Sequence, residues 1–292
     1  MALDLKAIGA VGEPVERSWS STDALLYAVA VGAGADPLAE LAFTTENTAG
    51  VAQQVLPSFG VVLAQGAASV LRRIGPFNPA MLVHAEQRIE LAGPIPPQGA
   101  VTVTATLVEI ADKRSGALVV TESSAVDGSG ATCFTTRSGM FIRGEGGFAS
   151  GSPAAPTATA SASATPVPAR PPDHAVTQAT LPQQALLYRL CGDRNPLHAD
   201  PAFARGVGFE RGPILHGLCS FGFMVRHVAR AVCGGDATRV TAFEAQFRRP
   251  VWPGDTLVTE GWQVRPDAVA LQVKVKERDE VVIGGAWALL SS

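Results

Sequence analysis

At 292 residues with 47% hydrophobic side chains, the chain can build one large core or two domains of ordinary size. Charged residues are only 17% and the net charge is -3, which excludes a basic field of the kind that binds nucleic acid. No stretch approaches the roughly 18 uninterrupted apolar residues of a membrane span, so a soluble protein with no membrane or nucleic-acid partner is expected.

The opening MALDLKAIGAVGEP has no cationic run ahead of an apolar stretch, and the closing ALLSS lacks a Ser-Lys-Leu type of address. Four cysteines, Cys133, Cys191, Cys219 and Cys233, are scattered without a CxxC pair. They read as reduced packing residues, and the expected compartment is the cytoplasm.

In chain order, Tyr27 opens an apolar stretch, and Pro57-Ser58-Phe59-Gly60 leads an apolar segment through Ala68 that predicts a helix buried on most sides. A strand-like run follows from Leu82 to Leu91. Pro94-Ile95-Pro96-Pro97-Gln98-Gly99 then punctuates the chain before VTVTATLVEI, whose alternation predicts a strand with one covered face. From Gly144 to Pro172 the residues are almost all small or proline, with no side chains to bury, so 144-175 reads as a linker. It separates an N-terminal unit, 1-143, from a C-terminal unit, 176-292.

The second unit repeats the order of the first. Tyr188 again opens an apolar stretch; Pro213-Ile214-Leu215-His216-Gly217 leads a segment reaching Val232, predicted as a helix. A strand-like run, Val240 to Arg248, precedes Pro250-Val251-Trp252-Pro253-Gly254 and the alternating TLVTEGWQV. Helix, strand, turn and strand in the same order imply duplication. The architecture expected is α+β: two curled antiparallel sheets, each wrapped around a long central helix, joined edge to edge so that no central edge stays unpaired.

The densest run of reactive residue types is Tyr188 to Asp200, YRLCGDRNPLHAD. Gly192 frees the backbone before Asp193 and Pro196 disfavours helix at Asn195, so a tight turn can aim Asp193 and His198 at one place. An ionised carboxylate and a neutral imidazole can share a water, one taking its proton and the other orienting it. The same residues also suit a capped loop, with Asp193 as an N-cap and His198 a satisfied half-buried ring. Downstream, Gly217 opens a helix whose free amides at the positive end can hold a developing oxyanion. Equally, Gly217 and Gly222 suit close packing against the sheet. Zinc on His198, His216 and Cys219 has poor spacing, and no metal is expected. Cys191 beside Gly192 reads as a small packed residue rather than a nucleophile.

YRLCGDRNPLHADPAFA followed by GPILHGLCSFG resembles the hydratase 2 motif of the MaoC-like, (R)-specific enoyl-CoA hydratases, and PSFGVVLAQ and LVHAEQRIEL resemble the first half of their long, two-unit members. The resemblance implies a double hotdog fold and (R)-specific hydration of trans-2-enoyl-CoA to (3R)-3-hydroxyacyl-CoA, reversibly, with no cofactor beyond the coenzyme A of the substrate. It puts the catalytic pair on Asp193 and His198, the residue fixing their geometry on Asn195, and the helix-start glycine on Gly217. Substrate contacts fall on His84, Ala85, Lys113, Arg194, Pro196, Leu197, Phe247 and Arg248. The family usually has glycine where this chain has Ala85. Lys113-Arg114 and Arg248-Arg249 are the local cations for the phosphates of coenzyme A. The stretch after Tyr27 has Asp36 but no histidine, so only the second unit can be catalytic; the first would wall the acyl chain, leaving room for medium, long or bulky chains. A homodimer is a family-level expectation. A hotdog thioesterase and a non-catalytic acyl-CoA binding subunit are the rival readings.

Overall fold

The computed structural model describes residues 3–65, 67–148 and 167–291, so the linker expected at 144-175 falls largely outside the described residues. Among these, ten strands form one sheet: β1 (Val15–Trp19), β2 (Leu82–Leu91), β3 (Gly99–Asp112), β4 (Gly116–Val126), β5 (Thr132–Arg143), β6 (His174–Ala179), β7 (Val240–Phe247), β8 (Thr256–Arg265), β9 (Ala268–Val275) and β10 (Glu280–Leu290). The helices are α1 (Ser21–Ala30), α2 (Leu41–Thr44), α3 (Phe59–Leu63), α4 (Gln184–Tyr188), α5 (Pro201–Gly206) and α6 (Gly217–Ala231), with short 3-10 turns between them. Among the described residues no helix is long and apolar enough to cross a membrane.

The sheet order β1-β3-β4-β5-β2-β7-β10-β9-β8-β6 is the duplication made visible. Read inward from either edge, each unit runs first, third, fourth, fifth, second strand. The two second strands meet in the middle, antiparallel, with Glu86 opposite Gln246 and Arg88 opposite Glu244. The join pairs the backbone groups that each five-stranded sheet would leave open at that edge. This is the double hotdog expected from the sequence.

The two units do not use their helices alike. Helix α6 runs 15 residues and is buried continuously from Leu218 to Ala229. In the first unit the expected long helix stops at Leu63. A polar residue, Gln65, follows, and its carbonyl accepts from Arg17 Nη2 at 2.8 Å.

The C-terminal end of α1 comes close to α6. A Cβ added at Gly222 would lie 2.4 Å from Val31 Cγ1 and 2.7 Å from Tyr27 Oη, so Gly222 serves a close approach of helix to helix. The expectation that it packs on the sheet is thus corrected. The carbonyls at the end of α1, which have no intrahelical partner, are satisfied by the other unit. Gln184 Nε2 donates to Ala30 at 2.7 Å, Arg226 Nε to Val31 at 3.0 Å and Gln178 Nε2 to Gly32 at 2.8 Å. Arg226, fully buried, also pairs with Glu40 at 2.6 Å, and Gln178 accepts from its Nη2.

Candidate active site

The motif segment folds as the sequence demanded. Gly192 takes φ 129°, a backbone that disfavours a side chain, and Asn195 Oδ1 accepts from the Leu197 amide at 3.0 Å to start the turn Pro196–His198. The Asn195 amide in turn donates to Asp193 Oδ1 at 3.0 Å. Asn195 thus bonds both ways along the turn, its amide to the Asp193 carboxylate and its side-chain oxygen to the Leu197 amide.

Asp193, Asn195 and His198 line one cavity of about 330 Å³. One carboxylate oxygen of Asp193 and one ring nitrogen each of His198 and His216 lie within 4.8 Å of one another. That spacing lets two acceptors grip one water at about 2.8 Å from each. His198 Nδ1–H donates to the Ile214 carbonyl at 2.9 Å, which in the neutral ring leaves Nε2 bare as an acceptor. Burial holds this imidazole below the usual histidine range, against the pull of the Ile214 bond and the Asp193 carboxylate.

The same cavity takes in the start of α6. The amides of Gly217 and Leu218 come before Cys219, which donates back to the His216 carbonyl at 3.0 Å, so they have no intrahelical acceptor and sit at the positive end of the helix. A Cβ at Gly217 would meet the Phe247 ring at 3.2 and 3.3 Å. Glycine there lets Phe247 cover the helix start.

His198 and His216 stack at 3.8 Å between centroids with 28° between planes. With Asp193 they place three ligand atoms close enough together to hold a water or a metal ion. Cys219 is elsewhere: its Sγ donates to the Ala30 carbonyl at 3.4 Å. Burial pushes the Cys191 thiol up to about 12, away from the thiolate form that a nucleophile uses.

A MaoC like domain model matches residues 163–286, and an MFE-2 hydratase 2 N-terminal domain model matches residues 18–144. The chain is 42% identical to 3-hydroxyacyl-thioester dehydratase Y of Mycobacterium tuberculosis, over 96% of this chain and 94% of that one. It is 39% identical to enoyl-CoA hydratase ChsH3 of the same organism, over 98% of each. The chain belongs to the MaoC-like hydratase 2 family. A MaoC-like dehydratase from Phytophthora capsici superposes with a TM-score of 0.85 at 32% identity, covering 99% of this chain and 98% of that one.

Not every position carried over from the hydratase 2 pattern reaches the cavity. His84, Leu197, Phe247 and Arg248 line it, with Arg249 beside them. His84 Nε2–H donates to the Glu86 carbonyl at 3.1 Å, its ring meets Phe247 at 5.1 Å, and burial pulls the imidazole down to about 4. Ala85, Lys113, Arg194 and Pro196 are not among the described residues lining the cavity. Ala85 is the extra residue of a bulge: His84 pairs Met140 and Glu86 pairs Gly139, leaving Ala85 without an opposite number. Its φ is not positive, so the usual glycine is not required there by backbone conformation. Lys113 sits in the β3–β4 hairpin, where its amide donates to the Gly116 carbonyl. The sequence marks His216 as part of a helix opening and as a poorly spaced zinc candidate; its stacking on His198 is a tertiary contact with no sequence signal beyond the His-Gly pair.

Proposed function

We propose that the chain hydrates trans-2-enoyl-CoA thioesters to (3R)-3-hydroxyacyl-CoA, reversibly and without a metal or added cofactor. The observation that carries this is Asp193 and His198 facing one cavity with the amide end of α6. The two acceptors hold the water by its hydrogens, leaving an oxygen lone pair for C3 of the substrate. As the C3–O bond forms, the double-bond electrons move onto the thioester oxygen, which the Gly217 end of α6 stabilises. Asp193 takes a water proton, and the Asp193–His198 pair returns it to C2, completing addition of one water. The (3R) outcome is the family's handedness, one face of the double bond meeting a fixed water. The names of both mycobacterial relatives support the reading.

In this proposal the second unit is catalytic and the first supplies walls, since Leu82, Val83 and Met140 line the cavity from across the join. Apolar walls from both units suit medium, long or bulky acyl chains. Arg248 and Arg249 are the cations for the anionic end of the thioester; Arg249 pairs with Glu280 at 3.6 Å, an exposed pair easily exchanged. A cytoplasmic homodimer completes the reading, free thiols suiting a reducing compartment. The test is incubation with crotonyl-CoA and with longer enoyl-CoAs. Loss of enoyl absorbance with a (3R) product on long chains supports the proposal; free coenzyme A would reveal a thioesterase, and binding without turnover a non-catalytic subunit.

A further inference from the structure

One short segment, Pro213 to Gly217, touches His198, Asp193 and the start of α6. The Ile214 carbonyl orients His198 at 2.9 Å, and Gly217 opens α6. Between them, His216 Nε2–H donates to the backbone carbonyl of Asp193 at 3.3 Å. The segment is pinned from behind, the Leu215 amide donating to the Val251 carbonyl at 2.7 Å. His216 is 1% exposed, stacked against His198 at 3.8 Å and against the Tyr188 ring at 4.8 Å.

We propose that His216 is a positioning residue that ties the Asp193 turn to the start of α6 and braces the His198 ring. The inference rests on the hydration reading above. A residue that only filled space would need no polar atom, yet His216 spends its N–H on the one residue whose carboxylate must face the water. The groups facing it are Tyr188 and Arg189 at the end of α4, Asp193 and His198. Burial and the neighbouring His198 hold His216 well below the usual histidine range, with Asp193 opposing. An uncharged His216 beside His198 adds no cation to the stack, and its bulk keeps water off the far face of His198.

Three variants separate these roles: His216→Phe keeps the stack and loses the donor, His216→Asn keeps a donor and loses the stack, and His216→Ala loses both. Steady-state rates on crotonyl-CoA are measured with the pH dependence of kcat/KM and the melting temperature. His216→Phe is expected to lower kcat by about 10–100-fold with KM within about threefold, the scale of losing a contact that orients a reacting group. His216→Asn should recover part of the kcat that His216→Ala loses. In both of those, water reaching His198 should move the acid limb of kcat/KM to higher pH, whereas in His216→Phe the limb stays. If the alanine variant does not fold, the phenylalanine and asparagine variants carry the comparison. An active wild type whose folded variants keep kcat within threefold and an unmoved acid limb overturns this inference alone. A wild type without turnover overturns the hydration reading and this inference with it.

Discussion

Gly217→Ala isolates the contact between the helix start and Phe247. The added Cβ would lie 3.2 Å from Cδ1 and 3.3 Å from Cε1 of that ring, whereas carbon atoms settle at about 3.5–4.0 Å. Ring or helix must therefore yield by a few tenths of an ångström. A displacement of about 1 Å at a reacting centre costs on the order of 10²-fold, so a shift a third to a half as large is expected to lower kcat by about 5–10-fold. Overpacking adds a stability cost of about 1–3 kcal/mol. Rates on crotonyl-CoA and thermal melts would be compared for Gly217→Ala, Phe247→Leu and the double variant. Because leucine lacks the ring that the new Cβ would meet, the double variant should recover kcat relative to Gly217→Ala. Wild-type kcat in Gly217→Ala, or a loss that Phe247→Leu leaves untouched, would refute the reasoning.

Two further expectations concern stability. Arg226→Met leaves the Glu40 carboxylate buried without its partner at 2.6 Å, and should cost about 3–5 kcal/mol by denaturant unfolding; adding Glu40→Gln should return much of it. Burial pulls His84 down to about 4 and His227 to about 3, and lowers His198 and His216 as well. Their folded forms bind protons later than the unfolded chain, so the stability tied to their neutral state is present above about pH 6.5 and is lost as pH falls. Each such group contributes about 1.4 kcal/mol per pH unit between the usual histidine value and its own, so chemical denaturation at pH 7, 6 and 5 should show a steep decline. A flat profile over that interval would contradict the buried neutral histidines.

Much of this architecture is legible in the residues. Alternation marks β2 and β3, and the repeated proline-glycine turns after Leu91 and Phe247 reveal the duplication that the sheet order displays. The site segment is legible for a local reason: Gly192, Asn195 and Pro196 dictate their own turn, so Asp193 and His198 are aimed by nearby chain. What depends on distant chain is not legible. Apolar composition through Ala68 cannot show that α3 stops at Leu63, nor that the end of α1 packs on Gly222 of α6. Nor can spacing show that Ala85 bulges out of register or that Lys113 lies in a hairpin away from the cavity. His216 acquires its partners only when α6 meets the motif turn.

The central claim is that Asp193 and His198 work on one water. Asp193→Asn keeps an oxygen to accept the Asn195 amide, so the turn should survive while the base is lost. The decisive measurement is kcat for crotonyl-CoA in Asp193→Asn, His198→Ala and the double variant, each checked for folding by its melt. The account predicts a loss of about 10²–10⁴-fold in each single variant, with the double variant losing little more than the worse of the two. Single losses below tenfold, or losses that multiply in the double variant, would contradict it.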